Sequence, residues 1–234
     1  MGRHPKGGRA WKQMGLQAAP GTLGGLRRDA GRKRRGRTTV ERVARPVLDP
    51  RYPCHVTLRV RAGAPPLRRM HAYRTLRAAF RRGKDRFGFR LVHYSVQSNH
   101  LHLLCEADGT RALSRGMQGL AIRIARRLNR VAGRTGKLFA DRYHLRVLES
   151  PSEVRNCLVY VLRNGVRHGA SPAGPVFDVY SSAMYFDGWT ERPRLPVIDD
   201  GERPTVTPRT WLLATGWRRG GPISFHDEPR RPGA

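Results

Sequence analysis

The chain has 234 residues, enough for one core of ordinary size with extended ends and too few for two generous domains. Its 46 Lys and Arg outnumber 17 Asp and Glu, a formal charge of +29 whose self-repulsion calls for a polyanionic partner, nucleic acid first. Cys54, Cys105 and Cys157 stand alone, which excludes a paired-cysteine zinc site, and no apolar run approaches the roughly 20 residues of a membrane span. Lysine occurs only at Lys6, Lys12, Lys33, Lys84 and Lys137, so the charge is almost all arginine, whose planar fork grips phosphate with paired hydrogen bonds. A GC-rich genome accounts for part of that arginine but not for the shortage of acids. Lone cysteines and the lack of an apolar leader give the expectation of an unexported cytoplasmic protein, associated with the nucleoid and without a membrane partner.

Residues 1–50 carry 13 Lys or Arg against Asp29, Glu41 and Asp49, with many glycines and no apolar periodicity, and read as a disordered basic arm. His55 to Val60 alternates as a half-buried strand does. After Pro65-Pro66, the spacing of Met70, Tyr73, Leu76, Ala79 and Phe80 predicts an amphipathic helix over 67–82. Phe89–Val96 and His100–Cys105 are apolar runs joined by Gln97-Ser98-Asn99, an antiparallel hairpin. Leu113, Met117, Leu120, Ile124 and Leu128 define one face of a second helix over 112–131, whose other positions carry Arg123, Arg126, Arg127 and Arg130. A short strand over 145–148 precedes Ser150-Pro151-Ser152-Glu153, a helix start; the helix runs to about Arg167, with Gly169 as its stop. The order β, α, β, β, α, β, α predicts an α+β ferredoxin-like sandwich with an antiparallel central sheet and an added helix. The domain is assigned to 51–190 and a partly disordered C-terminal extension to 191–234, with order ending near Trp217.

His100 and His102 sit at i and i+2 of a strand, so their imidazoles share a face about 6.5–7 Å apart at Cα and can meet one metal ion. The alternative is a pair of half-exposed strand histidines. Tyr160 and Asn164 share a face of the last helix at i and i+4. A phenol with a pKa near 10 is a poor nucleophile unless a metal polarises its target, and an Asn164 amide oxygen beside two imidazoles suits Mg²⁺ or Mn²⁺. Otherwise Tyr160 is an aromatic packed on the sheet.

Three segments carry a resemblance. Val92-His93-Tyr94-Ser95-Val96-Gln97-Ser98-Asn99-His100-Leu101-His102-Leu103-Leu104 resembles the HUH strand pair of bacterial single-tyrosine transposases with an insertion-sequence-200-like domain. Phe139-Ala140-Asp141-Arg142-Tyr143-His144 resembles their F-x-x-R-Y segment, and Tyr160-Val161-Leu162-Arg163-Asn164-Gly165-Val166-Arg167 their Y-x-x-x-N-P-V-R helix. Within the family the chain is most similar to the REP-associated tyrosine transposases, over roughly residues 50–190. The resemblance implies the HUH endonuclease fold and a transposase that cleaves and rejoins single-stranded DNA. Tyr160 would attack the scissile phosphate to leave a 5′-phosphotyrosine and a free 3′-hydroxyl, with His100, His102 and Asn164 holding Mg²⁺ or Mn²⁺. It also implies binding of single-stranded or hairpin DNA by a monomer or a homodimer. Gly165 departs from the family's proline, which puts the aim of Asn164 in doubt.

Arg123, Arg126, Arg127 and Arg130 are candidate phosphate contacts or the solvent face of their helix, and Arg142 is a candidate contact near the site. His93 and His144 read as structural or surface residues. Two rivals stay open: a catalytically inactive nucleic-acid-binding protein of the same fold, and a metal-dependent phosphodiesterase that uses water and forms no covalent adduct.

Overall fold

The computed structural model describes residues 47–167, 177–193, 199 and 201–229. Most of the expected basic arm and the helix stop at Gly169 lie outside the described residues. The elements run β1 (Cys54–Arg59), α1 (Met70–Gly83), β2 (Asp85–Arg86), β3 (Phe89–Val96), β4 (His100–Ala107), α2 (Thr110–Val131), β5 (His144–Val147), α3 (Pro151–Arg167) and α4 (Trp211–Ala214). The five strands form one sheet in the order β2-β3-β4-β1-β5, antiparallel at each pairing. The α+β sandwich expected from the element order is therefore the observed architecture.

Strand alternation sorts the side chains onto two faces. Cys54, Val56 and Leu58 of β1 and Leu101, Leu103 and Cys105 of β4 enter a core closed by Tyr73, Leu76 and Phe80 of α1 and by Leu113, Met117, Leu120, Ile124 and Leu128 of α2. On the opposite face a second core gathers Val92 and Leu104 under Val154, Leu158, Val161 and Leu162 of α3, and the C-terminal segment completes it with Phe186, Trp189, Leu213, Trp217 and Ile223. Helix α3 starts where Ser150 caps it: its Oγ accepts from Glu153 N at 3.3 Å, and the Glu153 carboxylate reaches back to accept from Glu149 N at 3.0 Å.

The C-terminal segment also covers a sheet edge. Beyond the short β2, Val96 N donates to Tyr180 O and Ser182 N to Tyr94 O, both at 2.9 Å, so residues 180–182 satisfy backbone groups that β3 would otherwise leave open. Farther along, the Glu106 carboxylate, fully buried at the end of β4, accepts from Arg90 Nε, Arg209 N, Thr210 N and Thr210 Oγ1 at 2.8–3.2 Å. That fourfold satisfaction fixes residues 209–210 to the sheet.

Candidate active site

The hairpin between β3 and β4 closes tightly, with Gln97 N donating to His100 O at 2.9 Å, and this fixes the register in which His102 lies between Ser95 of β3 and Thr57 of β1. Because Leu101 and Leu103 point into the α1/α2 core, His100 and His102 emerge on the α3 side. Their Nε2 atoms are 2.9 Å apart. Tyr160, nine residues into α3, brings its hydroxyl within 3.2 Å of His102 Nε2. Three of the residues singled out from sequence thus converge on one point.

The other edge of His102 is held as firmly. Its Nδ1 lies 3.1 Å from His55 Nε2 and 3.3 Å from Thr57 Oγ1, and the His55 and His102 rings stack with centroids 5.2 Å apart. Burial, with Arg146 adding to it, lowers the His55 pKa to about 4, so His55 is neutral near pH 7. A neutral ring that accepts from His102 Nδ1–H leaves the His102 Nε2 lone pair directed at His100 and Tyr160. His100 is steadied in turn by Asn99, whose side-chain oxygen is 2.7 Å from its Nδ1. His55 and Thr57 were absent from the sequence-derived site. Alternation puts them on the polar face of β1, but only the β1–β4 register brings them under His102.

Residues 51–164 match the model of a family described as transposase, IS200-like. This stretch is an IS200-like transposase domain. It belongs to a family of DNA-processing enzymes. The transposase domain shares its fold with the solved structure of a REP-associated tyrosine transposase bound to a REP hairpin, at 15% identity and a TM-score of 0.53, covering 69% of this chain and 93% of that one. A candidate transposase from Deinococcus radiodurans matches at 18% identity and a TM-score of 0.36, over 47% of this chain and 85% of that one. No curated protein matches the chain.

Asn164, one turn beyond Tyr160 in the transposase domain, is 1% exposed, and its Nδ2 has no hydrogen-bond partner among the described residues. It makes no hydrogen bond to the imidazole pair. The glycine that follows it has a packing reason. A Cβ on Gly165 would fall 1.7 Å from Asp178 Oδ2, and Asp178 is gripped by both terminal nitrogens of Arg68 at 2.9 Å. The missing side chain lets this buried ion pair lie directly against α3.

Arg123, Arg126, Arg127 and Arg130 meet Arg74 of α1 along a groove of about 550 Å³ between α1 and α2. The groove lies on the α1/α2 side of the sheet, away from Tyr160. Arg142 is exposed in the loop before β5, two residues ahead of His144, which pairs with Thr57. His144 is exposed. His93 is buried, 3.2 Å from Ser182 Oγ, and burial with Arg203 nearby lowers its pKa to about 3. It is a neutral structural residue of the second core.

The donor set fits a divalent ion of the Mg²⁺ or Mn²⁺ class. Adjacent ligands of an octahedral ion with bonds of about 2.1 Å stand about 3 Å apart, close to the 2.9 Å between the two Nε2 atoms. Among the described residues no three His, Cys, Asp or Glu side chains are placed to hold one ion, His55 facing Nδ1 of His102 rather than the Nε2 pair, so a third protein ligand would be of another type. An amide oxygen is of that type, and Asn164 lies on the same helix face as Tyr160; the atom of its amide left without a hydrogen-bond partner among the described residues is Nδ2, a donor, which is not a metal-binding atom.

Proposed function

We propose that this protein cleaves and rejoins single-stranded DNA with Tyr160 as nucleophile. The carrying observation is the approach of the Tyr160 hydroxyl to within 3.2 Å of His102 Nε2, itself 2.9 Å from His100 Nε2. His100 and His102 would hold the divalent ion, with Asn164 as the third protein ligand through its amide oxygen. When bound, that ion supplies Lewis acidity to the scissile phosphate and orients it. Tyr160 gives its proton to solvent, Oη bonds to phosphorus, and the bond from phosphorus to the 3′-oxygen breaks. The departing oxygen takes up a proton and becomes a free 3′-hydroxyl. The product is a 5′-phosphotyrosine, which conserves the phosphodiester bond energy for attack by a 3′-hydroxyl in the joining direction. His55 and Thr57 act through His102 by fixing its tautomer and tilt.

Substrate binding is assigned to arginine. The groove of Arg74, Arg123, Arg126, Arg127 and Arg130 takes backbone phosphates, and Arg142 contacts DNA near the cleavage site. A hairpin-containing single strand is the substrate class, supported by the hairpin held by the structurally similar REP-associated transposase.

The test uses labelled single-stranded DNA from the gene's own flanks with Mg²⁺ or Mn²⁺, followed by a denaturing gel. The unmodified protein gives a covalent adduct; Tyr160→Phe gives none and keeps its DNA affinity, because only a hydroxyl is lost. An adduct formed by Tyr160→Phe overturns the nucleophile assignment. Cleavage without any adduct favours the water-using phosphodiesterase, and binding without cleavage the inactive binding protein.

A further inference from the structure

A pocket of about 550 Å³ opens where the C-terminal segment, which lies beyond the residues that match the transposase family, meets Arg51, Tyr52, Arg90, Glu149 and Pro151 of the matched stretch. Its floor is the junction fixed by Glu106, where Thr210 is locked by two hydrogen bonds of 2.8 Å and Trp211 follows at the start of α4. Trp211 is 51% exposed, a rare position for the largest aromatic side chain, which a chain normally buries. The ring is nevertheless held in place. A Cβ on Gly216 would lie 2.8 Å from Trp211 Cζ3, so the indole rests against glycine backbone, and the Arg219 guanidinium sits 4.8 Å from its ring centroid. Tyr52 lines the other side, with Arg51 5.5 Å from its ring. Arg209 adds a cation whose side chain is 67% exposed and whose ion pair with Asp85 spans 3.6 Å, too exposed to neutralise it. Glu149 on the lining offers an acceptor for an exocyclic base amine.

Fixed, half-exposed aromatic rings flanked by arginines are the means by which proteins hold unpaired bases: the ring meets the π-face and the cations meet the phosphates. We propose that this pocket holds one unpaired nucleotide of single-stranded DNA, its base stacked on Trp211 and its phosphates held by Arg219 and Arg209. This assignment rests on the DNA-processing reading above and extends it to the flank of the substrate. Two paths measure its distance from the catalytic centre. Pro151, on the lining, precedes Tyr160 by nine residues of α3, about 13 Å at 1.5 Å each. Glu106, beneath the floor, follows His102 by four residues of β4, also about 13 Å. At the ~3.4 Å rise of a stacked strand, the held base lies about four nucleotides from the scissile phosphate.

The experiment measures binding of a short labelled oligodeoxycytidine to the full chain by fluorescence anisotropy. Trp211→Ala is expected to weaken binding about tenfold, the worth of one stacked base, and Trp211→Phe to restore most of it. Both losses should be the same in a Tyr160→Phe background. Equal affinity for Trp211→Ala and the unmodified protein overturns the proposal, as does an equal loss for the Ala and Phe variants. A readout independent of substitution is photocross-linking with 5-iodouracil stepped along a cleavable strand. Linkage to Trp211 or Tyr52 from a position about four nucleotides from the cut supports the pocket, and linkage confined to other residues overturns it. If no adduct ever forms at Tyr160 but Trp211→Ala still loses affinity, the catalytic reading fails and the pocket stands; an adduct with unchanged affinity means the reverse.

Discussion

The two faces of the sheet are made by alternate residues of the same strands; both bury an apolar core, but only the α3 face adds a polar cluster to it. Toward α1 and α2, Leu101, Leu103 and Cys105 vanish into an apolar core. Toward α3, the intervening His100 and His102 meet Tyr160, His55 and Thr57 in a polar cluster. The comparison teaches that stability and chemistry are separable residue by residue within one strand. Both faces bury apolar side chains, but along His100–Cys105 every residue toward α1 and α2 is apolar, whereas toward α3 only Leu104 enters a core and His100 and His102 carry the polar cluster.

The sharpest way to break that comparison is to mutate neighbours. His100→Ala and His102→Ala should each lose metal-dependent DNA cleavage, a drop of at least about a hundredfold. His100→Ala should melt near the unmodified protein, while His102→Ala, which empties a buried position between His55 and Tyr160, should lose some stability but stay folded. Leu103→Ala should do the reverse, costing about 2–5 kcal/mol in chemical denaturation by opening a cavity in a fully buried site. If the histidine variants unfold, or cleave normally, the division between faces is wrong.

A smaller effect is expected at Gly165, where the site face touches its support. Gly165→Ala forces a methyl group onto the Asp178 carboxylate and should cost about 1–3 kcal/mol, read from urea unfolding. Adduct formation should fall in parallel as Asn164 is displaced. Unchanged stability would mean that the Arg68–Asp178 pair yields without penalty.

The mildest perturbation concerns the outer surface of the apolar face. Replacing Arg123, Arg126, Arg127 and Arg130 by Gln should flatten the plot of log affinity against log salt by about 0.7–0.9 for each arginine that meets a phosphate. Adduct yield at saturating DNA should hold, since the groove and the tyrosine lie on opposite sides of the sheet. An unchanged salt slope would make these arginines a solvated helix face.

Much of this was legible because apolar periodicity reports which face is buried. The residues of α1 and α2 that enter the core are those whose spacing marked the helices, and the His-Leu-His alternation fixed which way the imidazoles point. What sequence left out depends on register and on distant chain. β2 is two exposed residues, Asp85 and Arg86, turned into β3 by Phe87 and Gly88 at positive φ, too short and polar to show a period. His55 is an ordinary strand residue until the sheet pairs β1 with β4. Asn164 was readable as a neighbour of Tyr160, but its burial was not, nor was the packing of the next residue, Gly165, on Asp178, which no local pattern connects to α3. Prolines at 172, 175, 193, 196, 204 and 208 interrupt any long element beyond residue 170, and α4 is four residues long; that such a segment completes the second core follows from its aromatic side chains, not from any periodicity.

The grip of Glu106 on residues 209–210 has a consequence for how the molecule is assembled. These hydrogen bonds join positions 103 and 104 residues apart, so their formation waits for closure of a long loop and contributes nothing to early folding. On the ribosome the sheet and its helices are synthesised well before residue 209 emerges. In that interval the carboxylate at the end of the histidine-bearing strand lacks three of its four donor groups and stays open to water on the side that residues 209–210 later cover. The end of β4 should therefore be among the last places where amide protons become protected, and the nascent domain is most open to proteases until that final segment has docked.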